Sequence, residues 1–299
     1  MRKTGLPRTK ILGRFRGVLA VSVLTATSGL IPSLHAAKAC TDHDFTGVFG
    51  FYGTGYVVKS PVTILTGPFA RLGRFESDGN GHLTFSSTAS FNGHLIPQDF
   101  TGTYTTNPDC TLTTTVYLPD PINLPVNFIS IISDDGNENR DLFVNPPGVV
   151  VTGAARKQHM GQCSKQDLSG AYALEMSGAI LQEGSAGRIP FSALARIDAD
   201  GAGNIVGKLG SNYGGLPVPQ EDISGTYTVD PNCIFHLTYY TAGEGHGPND
   251  GVTLKGVFID AGTGAFLMVL QPSTATVLGS LKLQTTLRSN PGRLVRPTR

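Results

Sequence analysis

Hydrophobic and polar residues alternate at period two in several short segments of this chain. One such segment carries Phe235, Leu237 and Tyr239 on one side, and His236 and Thr238 on the other. Successive side chains of a β-strand point to opposite faces, so the alternation predicts strands with one buried face. No segment of the sequence combines a sustained 3.6-residue apolar period with helix caps, which predicts that helix is a minor component.

Strand-like runs recur at even spacing along the chain. In the C-terminal half about eight of them are expected, at roughly 167–182, 190–198, 203–213, 221–229, 233–242, 251–260, 264–271 and 275–285. Asp78-Gly79 and Asp200-Gly201 lie between such runs, as in β-hairpins. Hairpins without long crossovers favour an up-and-down meander, and strands of this number can close into a barrel without exposed edges.

The chain is a tandem duplication. GTYTTNPDC at residues 102–110 is matched by GTYTVDPNC at residues 225–233, an offset of 225 − 102 = 123 residues. A fixed period of this kind predicts homologous domains. We predict β-barrel repeats at 40–157 and 163–285, joined by a linker at 158–162. The predicted fold class is all-β, with two tandem, roughly eight-stranded antiparallel up-and-down barrels.

Residues 1–39 have the layout of a signal peptide. Six basic residues precede an apolar run from Gly17 to Leu24, and small residues around Ala36 permit cleavage. The run is shorter than the ~20 residues of a membrane span. We therefore predict export to the periplasm or the medium, without a transmembrane segment. A lipoprotein acylated at Cys40 is the alternative.

Removal of residues 1–39 leaves a mildly acidic chain. That segment holds seven of the 23 Lys and Arg residues and none of the 22 Asp and Glu residues, so the remainder has a net charge of 16 − 22 = −6. Nucleic-acid binding needs a basic patch, and this composition argues against such a partner. We predict that the Arg-containing segment 286–299 is a solvated, disordered tail.

The four cysteines occupy equivalent positions in the two repeats. Cys163 follows Cys40 by 123 residues, and Cys233 follows Cys110 by the same number. A domain that folded alone before duplication pairs its cysteines internally, which predicts the disulfides Cys40–Cys110 and Cys163–Cys233. A zinc site is the alternative, but the sequence contains no CxxC motif.

Catalytic residues preserved by duplication would occur in both repeats. Three shared polar pairs are weak candidates for such a duplicated site: Arg74 and Arg196, Tyr104 and Tyr227, and Asp99 and Asp222. No histidine of one repeat has a histidine counterpart in the other, and the sequence lacks HExxH and GxSxG motifs. We therefore predict no catalytic residue, no metal site and no cofactor.

Short Gly-rich phrases of the repeats resemble a known group of barrels. DLSGAY at residues 167–172, the Asp-Gly hairpin and GTY at 225–227 resemble the layout of calycin-type barrels, the group of lipocalins, avidins and allene-oxide-cyclase-like proteins. The chain also resembles tandem-barrel proteins that bacteria export. It departs from lipocalins at the tryptophan of their first strand, where Phe49 or Tyr172 stands instead.

Three functions remain open at this point. The absence of a shared catalytic set favours a secreted, non-catalytic module that binds a small apolar ligand or a surface partner. An isomerase or lyase of the allene-oxide-cyclase type, in which an apolar pocket shapes the substrate, is the second possibility. A structural exoprotein with filled barrels is the third. The volume and lining of each barrel interior distinguish them.

Overall fold

The computed structural model describes residues 39–60, 65–120, 122–181, 187–242 and 250–284. This part of the chain is built from β-strands and a few short 3₁₀ turns, which confirms the all-β fold class. The predicted signal peptide, apart from Ala39, and the predicted tail at 286–299 lie outside the described residues.

The first eight strands close into an antiparallel barrel, which we call barrel 1. They are β1 (Thr46–Val57), β2 (Gly67–Asp78), β3 (His82–Phe91), β4 (His94–Thr106), β5 (Thr111–Leu118), β6 (Leu124–Ser133), β7 (Glu138–Asn145) and β8 (Val149–Lys157). Each strand pairs with its neighbours in sequence, and β8 pairs back with β1. Closure leaves the sheet without an exposed edge.

The next eight strands form barrel 2 in the same way. They are β9 (Ser169–Leu181), β10 (Arg188–Asp200), β11 (Asn204–Tyr213), β12 (Leu216–Val229), β13 (Ile234–Thr241), β14 (Val252–Ile259), β15 (Gly264–Gln271) and β16 (Ala275–Leu283). β16 pairs back with β9. Two tandem eight-stranded up-and-down barrels were predicted, and this calycin-like architecture is confirmed.

One end of each barrel is held by the N-terminal segment of its repeat. Cys40–Cys110 ties this segment to the β4–β5 turn, and Cys163–Cys233 ties it to the β12–β13 turn. The pairing expected from the duplication is confirmed. Each bond joins cysteines 70 residues apart. In the chain-entropy model a cross-link of this span stabilises the fold by ~4 kcal/mol.

The two barrels contact each other through their outer walls. Ala70 and Leu72 on β2 lie in one buried cluster with Val257 on β14 and Met268 on β15. At Gly50 a Cβ atom would lie 2.8 Å from a side-chain methyl group of barrel 2, so glycine permits the close approach. The interface is therefore apolar and closely packed, like the interior of a domain.

Polar contacts join the barrels around this apolar cluster. Gln158, the first residue of the predicted linker, is buried, and its Nε2 donates to the Phe258 carbonyl oxygen at 3.0 Å. Arg188 Nε donates to Asn92 Oδ1 at 2.5 Å. The chain therefore passes from one barrel to the other through a segment that is itself part of the contact.

Candidate functional site

Barrel 1 encloses a cavity of about 650 Å³. Small-molecule sites in proteins have volumes of ~300–1,000 Å³. Loop residues between β1 and β2 and between β7 and β8 line one side of the cavity, among them Lys59 and Pro147. We call this the open end of barrel 1, and the end held by the disulfide the closed end.

Phenylalanine side chains form the deeper wall of the cavity. They are Phe45, Phe51, Phe75, Phe85 and Phe100. The rings touch one another: the centroids of Phe75 and Phe85 are 5.1 Å apart, and those of Phe85 and Phe100 are 4.6 Å apart in a stacked pair. Such rings provide a large apolar surface without polar atoms, so this wall suits an apolar molecule.

Small residues at inward-facing positions leave the space open. A Cβ atom at Gly53 would meet its nearest neighbour at 3.6 Å, an ordinary van der Waals distance. The equivalent residue of barrel 2 is Met176 (53 + 123), and Ser87 corresponds to Leu209 (87 + 122). Both larger side chains are buried in the apolar cluster that packs the interior of barrel 2. At these two positions barrel 2 thus places larger, buried side chains where barrel 1 has a cavity.

One arginine lies inside the cavity of barrel 1. Arg71 on β2 is only 7% exposed, and its Nη1 donates to Ser87 Oγ at 3.0 Å, while Nη2 donates to Gln98 Oε1 at 2.7 Å. Its guanidinium also lies 5.1 Å from the ring centroid of Phe100. Burial lowers the pKa of Arg71 to about 10, so the side chain is still protonated at neutral pH. All of these partners are neutral groups.

A carboxyl group lines the same cavity from β7. Asp141 Oδ1 accepts hydrogen bonds from Ser130 Oγ at 2.5 Å and from Asn139 Nδ2 at 2.7 Å. Burial raises the pKa of Asp141 to about 6, although the Ser130 hydrogen bond opposes this rise. Asn139 Oδ1 is buried without a hydrogen-bond partner among the described residues. Since the carboxylate takes the amide NH₂ group as a donor, Oδ1 remains an acceptor that is shielded from solvent.

Arg71 and Asp141 belong to one row of the barrel wall. In the strand register Arg71 lies opposite Gly53, Gly53 opposite Gly153, and Gly153 opposite Asp141. Three strand spacings of ~4.8 Å therefore separate the two residues along the wall. Their side chains form no ion pair in the described part of the chain. The two glycines leave the wall between them bare.

Barrel 2 lacks both charged groups. Arg71 corresponds to Ala193 (71 + 122), and Asp141 corresponds to Leu267 (141 + 126). Both replacements are buried in the apolar cluster of barrel 2. The charged lining is therefore confined to the repeat that contains the cavity, which makes barrel 1 the candidate site.

The residues predicted as a duplicated polar site are not brought together. Arg74 is three positions from Arg71 and lies on the outer wall of barrel 1. Arg196 lies on the outer wall of barrel 2, where two of its nitrogens contact the carboxylate of Asp198 at 2.5 and 2.8 Å. An exposed pair of this kind contributes under ~1 kcal/mol to stability.

The other candidate pairs are separated in the same way. Asp99 and Asp222 are exposed, and Asp222 pairs with Lys208 at 2.6 Å. Tyr104 and Tyr227 are buried at the closed ends, where each hydroxyl donates to a backbone oxygen of the N-terminal segment of its repeat. The shared tyrosines therefore hold the fold in both barrels.

Arg71 and Asp141 are not among the site residues predicted from the sequence. The predicted residues are polar in both repeats, whereas these two are polar in one repeat only. The signal that could have found Arg71 and Asp141 is an inward-facing polar residue in one repeat that aligns with an apolar residue in the other. Which positions face inward, however, follows only from the strand register, which the structure provides.

The donor groups of the cavity suit hydrogen bonding to an organic molecule. Within the described ranges, no group of three or more His, Cys, Asp or Glu side chains is placed to hold a metal ion. The helices in the described part of the chain are all too short or too polar to cross a membrane. The cavity instead offers a guanidinium, a carboxyl group, an amide and hydroxyl groups in an apolar surround.

Comparisons with known proteins found similar structures but no similar sequence. Neither a family model nor a curated protein matches the chain. The isotype 1 transferrin binding protein B of serogroup B Neisseria meningitidis is 7% identical, with a TM-score of 0.33 over 80% of this chain and 77% of that chain. A double mutant of transferrin binding protein B from Haemophilus parasuis is 8% identical, with a TM-score of 0.28 over 79% of this chain and 74% of that chain.

A third solved structure is a protein of unknown function from the DUF3598 family of Nostoc punctiforme. It is 9% identical, with a TM-score of 0.22 over 80% of this chain and 96% of that chain. At these identities and TM-scores the three structures carry no information on the function of this chain. The assignment of a candidate site in barrel 1 therefore rests on the geometry of the cavity alone.

Proposed function

We propose that this protein is an exported binding module, and that barrel 1 holds a small, mainly apolar molecule in its cavity. The observation that carries this proposal is the contrast between the repeats. Barrel 1 has a cavity of about 650 Å³, whereas at the positions equivalent to Gly53 and Ser87 barrel 2 carries the larger, buried side chains of Met176 and Leu209. Barrel 2 then serves as a packed support, joined to barrel 1 through the apolar interface.

Two disulfides agree with export, because such bonds persist in oxidising compartments. The apolar lining supplies the driving force for binding, since each CH₂ group transferred from water contributes ~0.8 kcal/mol. Loss of translational and rotational freedom opposes association by several kcal/mol. A ligand of moderate size is therefore expected to bind reversibly, as suits a carrier or scavenger.

The first test fills the cavity. Gly53→Leu places a side chain in the space that Gly53 leaves open, and it is expected to abolish binding of the neutral fluorescent probe N-phenyl-1-naphthylamine. Gly210→Leu, at a strand position of barrel 2 with similar room for a Cβ atom, is the matched control and should bind the probe like the wild type. Equal probe binding by wild type and Gly53→Leu would contradict the proposal.

The second test looks for the natural molecule. Native mass spectrometry of the full chain purified from its own host should show a bound species that is lost on denaturation and absent from Gly53→Leu. A wild-type spectrum without any retained mass, combined with no probe binding, would exclude a ligand-binding barrel 1.

One observation favours a second candidate, proton-transfer catalysis on the bound molecule. Asp141 has a pKa raised to about 6 and lines an apolar cavity, which are the properties of a general acid or base. The test incubates the extracted molecule with protein in D₂O and follows hydrogen exchange by NMR. Exchange by the wild type but not by Asp141→Asn would support catalysis, and equal exchange with and without protein would exclude it.

A further inference from the structure

We propose, on the basis of the binding function proposed above, that the molecule held in barrel 1 is an amphipathic acid whose carboxylate pairs with Arg71. Arg71 is a cation inside an apolar cavity, 93% shielded from solvent (100 − 7), and it lines the space where the molecule would lie. Ser87 and Gln98 satisfy two of its donors but bring no negative charge.

A buried charge without a counter-charge is costly, and proteins normally pair it. In the described part of the chain no carboxylate forms an ion pair with Arg71, and Asp141 lies three strands away along the wall. A carboxylate on the ligand supplies the missing charge. It also accepts bidentate hydrogen bonds from the planar guanidinium, which is the geometry that arginine favours.

Residues on β7, at the other end of the row from Arg71, provide a second polar contact for the molecule. Asn139 is 4% exposed, lines the cavity and leaves Oδ1 without a donor among the described residues, next to the carboxyl group of Asp141. The carboxyl group of Asp141 lines the cavity and accepts hydrogen bonds, so a hydroxyl group on the ligand fits here. The cavity thus matches an apolar molecule that carries an acid group for Arg71 and a hydroxyl group for Asp141.

The experiment compares probes that differ only in the head group. Isothermal titration of decanoate and decan-1-ol into the wild type is expected to show ~10-fold or stronger preference for decanoate, the range of a charge-assisted hydrogen bond. Arg71→Met should abolish this preference while decan-1-ol still binds. Arg74→Met, on the outer wall of the same strand, is the matched control and should keep the preference.

Each outcome separates this inference from the binding function. If decan-1-ol binds the wild type as tightly as decanoate, or if Arg71→Met keeps the preference, the acid assignment is wrong while the binding function stands. If neither compound binds, the binding function itself fails. Should Arg71→Met not fold, Arg71→Gln replaces it, because its amide can still bond to Ser87 and Gln98 without a charge.

A different observation carries a second proposal: we infer that two copies of this chain form a two-fold dimer through the outer wall of barrel 1. Five exposed aliphatic side chains on β6, β7 and β8, with the exposed Arg140 opposite Ile131, make up a surface that we call the outer patch. The aliphatic residues are Ile129, Ile131, Leu142, Val144 and Val150. Leu142 is paired directly with Ile129, and each is about half exposed, at 49% and 48%.

The surface of barrel 2 that is equivalent to the outer patch forms the interface between the two barrels. Ile131 and Leu142 correspond to Val257 and Met268 at an offset of 126 residues, and both of the latter are fully buried between the barrels. The same wall of the same fold is therefore covered by a barrel in one repeat and left open in the other. This equivalence of the two walls indicates that another barrel covers the outer patch.

The remaining open wall of barrel 2 is a poor match for the outer patch. The residues equivalent to Ala70 and Leu72 are Ser192 and Leu194, an offset of 122, and Leu194 stands isolated beside the exposed Arg196–Asp198 ion pair. An apolar patch of one copy is therefore best covered by the identical patch of a second copy. A pairing of identical surfaces closes as a dimer.

Sedimentation velocity of the full chain tests this dimer. The wild type is expected to sediment as a dimer at ~100 μM, and the double substitution Ile131→Lys and Leu142→Lys should convert it to a folded monomer. Leu194→Lys, a matched exposed leucine on barrel 2, should remain dimeric. A monomeric wild type, or a dimer broken by Leu194→Lys alone, overturns the proposal.

Discussion

Arg71 and Asp141 in the cavity are each held by side chains from nearby strands. Ser87 on β3 and Gln98 on β4 fix Arg71, and Ser130 on β6 fixes Asp141. Fixed partners reduce the conformational entropy that a bound molecule would otherwise have to remove. At the residue scale, barrel 1 therefore has a preformed pair of polar anchors in an apolar surround.

Asp141→Asn is expected to remove a pH-dependent loss of stability. The pKa of Asp141 is about 6 in the folded protein, and ~3.9 is usual for an unfolded Asp, so the folded state binds more protons between these values. The free energy of unfolding of the wild type therefore falls, relative to the variant, as the pH rises from about 4 to about 6. Above this range the difference is constant.

Urea unfolding of both proteins across this pH range measures the effect. Asp222→Asn, at an exposed carboxylate on barrel 2, is the control for the removal of a surface charge. Parallel curves for the wild type and Asp141→Asn would show that the carboxyl group titrates normally.

At the scale of the element, the closed ends show what the two repeats have in common. A disulfide, a 3₁₀ turn and a buried tyrosine hold the first strand of each barrel at its closed end. Tyr227 donates to the carbonyl oxygen of Leu168 at 2.7 Å, and Tyr104 lies 3.1 Å from the oxygen of Phe45, the equivalent residue. Duplication has kept these parts in both barrels.

Tyr227→Phe is expected to lower the free energy of unfolding by ~1 kcal/mol, the net contribution of one buried hydrogen bond. The substitution leaves the Leu168 carbonyl oxygen without its side-chain donor and keeps the ring in place. Guanidinium unfolding monitored by circular dichroism measures the change. Tyr213→Phe, whose ring is 38% exposed, should have no effect. A destabilisation by Tyr213→Phe equal to that of Tyr227→Phe would contradict this role of the hydroxyl.

Strands, turns and disulfides were predictable because their signals are local or repeated. The alternation around Leu237 depends only on the pleat of a strand, and the Asp-Gly turns depend only on backbone geometry. The cavity was not predictable, because its volume depends on side chains from eight strands meeting at one axis. Gly53 and Met176 are both ordinary strand residues in the sequence, and only their packing shows which one leaves space.

At the scale of the whole molecule, the two barrels are mechanically linked. Apolar side chains from both barrels share one cluster, and the buried Gln158 bonds to both. Barrel 2 has the more complete apolar interior, and barrel 1 has the cavity. A void deprives its lining of packing contacts. The interface is therefore expected to contribute a larger share of the stability of barrel 1 than of barrel 2.

Met268→Lys is expected to uncouple the barrels. Met268 is fully buried in the interface, so a lysine there places an unpaired charge among apolar side chains at a cost of ~3 kcal/mol or more. Calorimetry should show the single transition of the wild type divided in two, with barrel 1 unfolding at the lower temperature. The control is Leu194→Lys, at a position 64% exposed. One unshifted transition for Met268→Lys would show that the interface contributes little to stability.

Loops line the cavity at the open end of barrel 1, whereas a disulfide, a 3₁₀ turn and Tyr104 hold the closed end. Arg71 is four residues from Gly67, where β2 begins at the open end, and Phe75 lies deeper. A molecule anchored at Arg71 therefore enters with its apolar tail first and leaves with its acid group first. Chemical tags on the tail would block loading, whereas an extension that projects outward beyond the acid group is compatible with it. Derivatives of the natural molecule for labelling or affinity capture are thus to be attached at the head-group side.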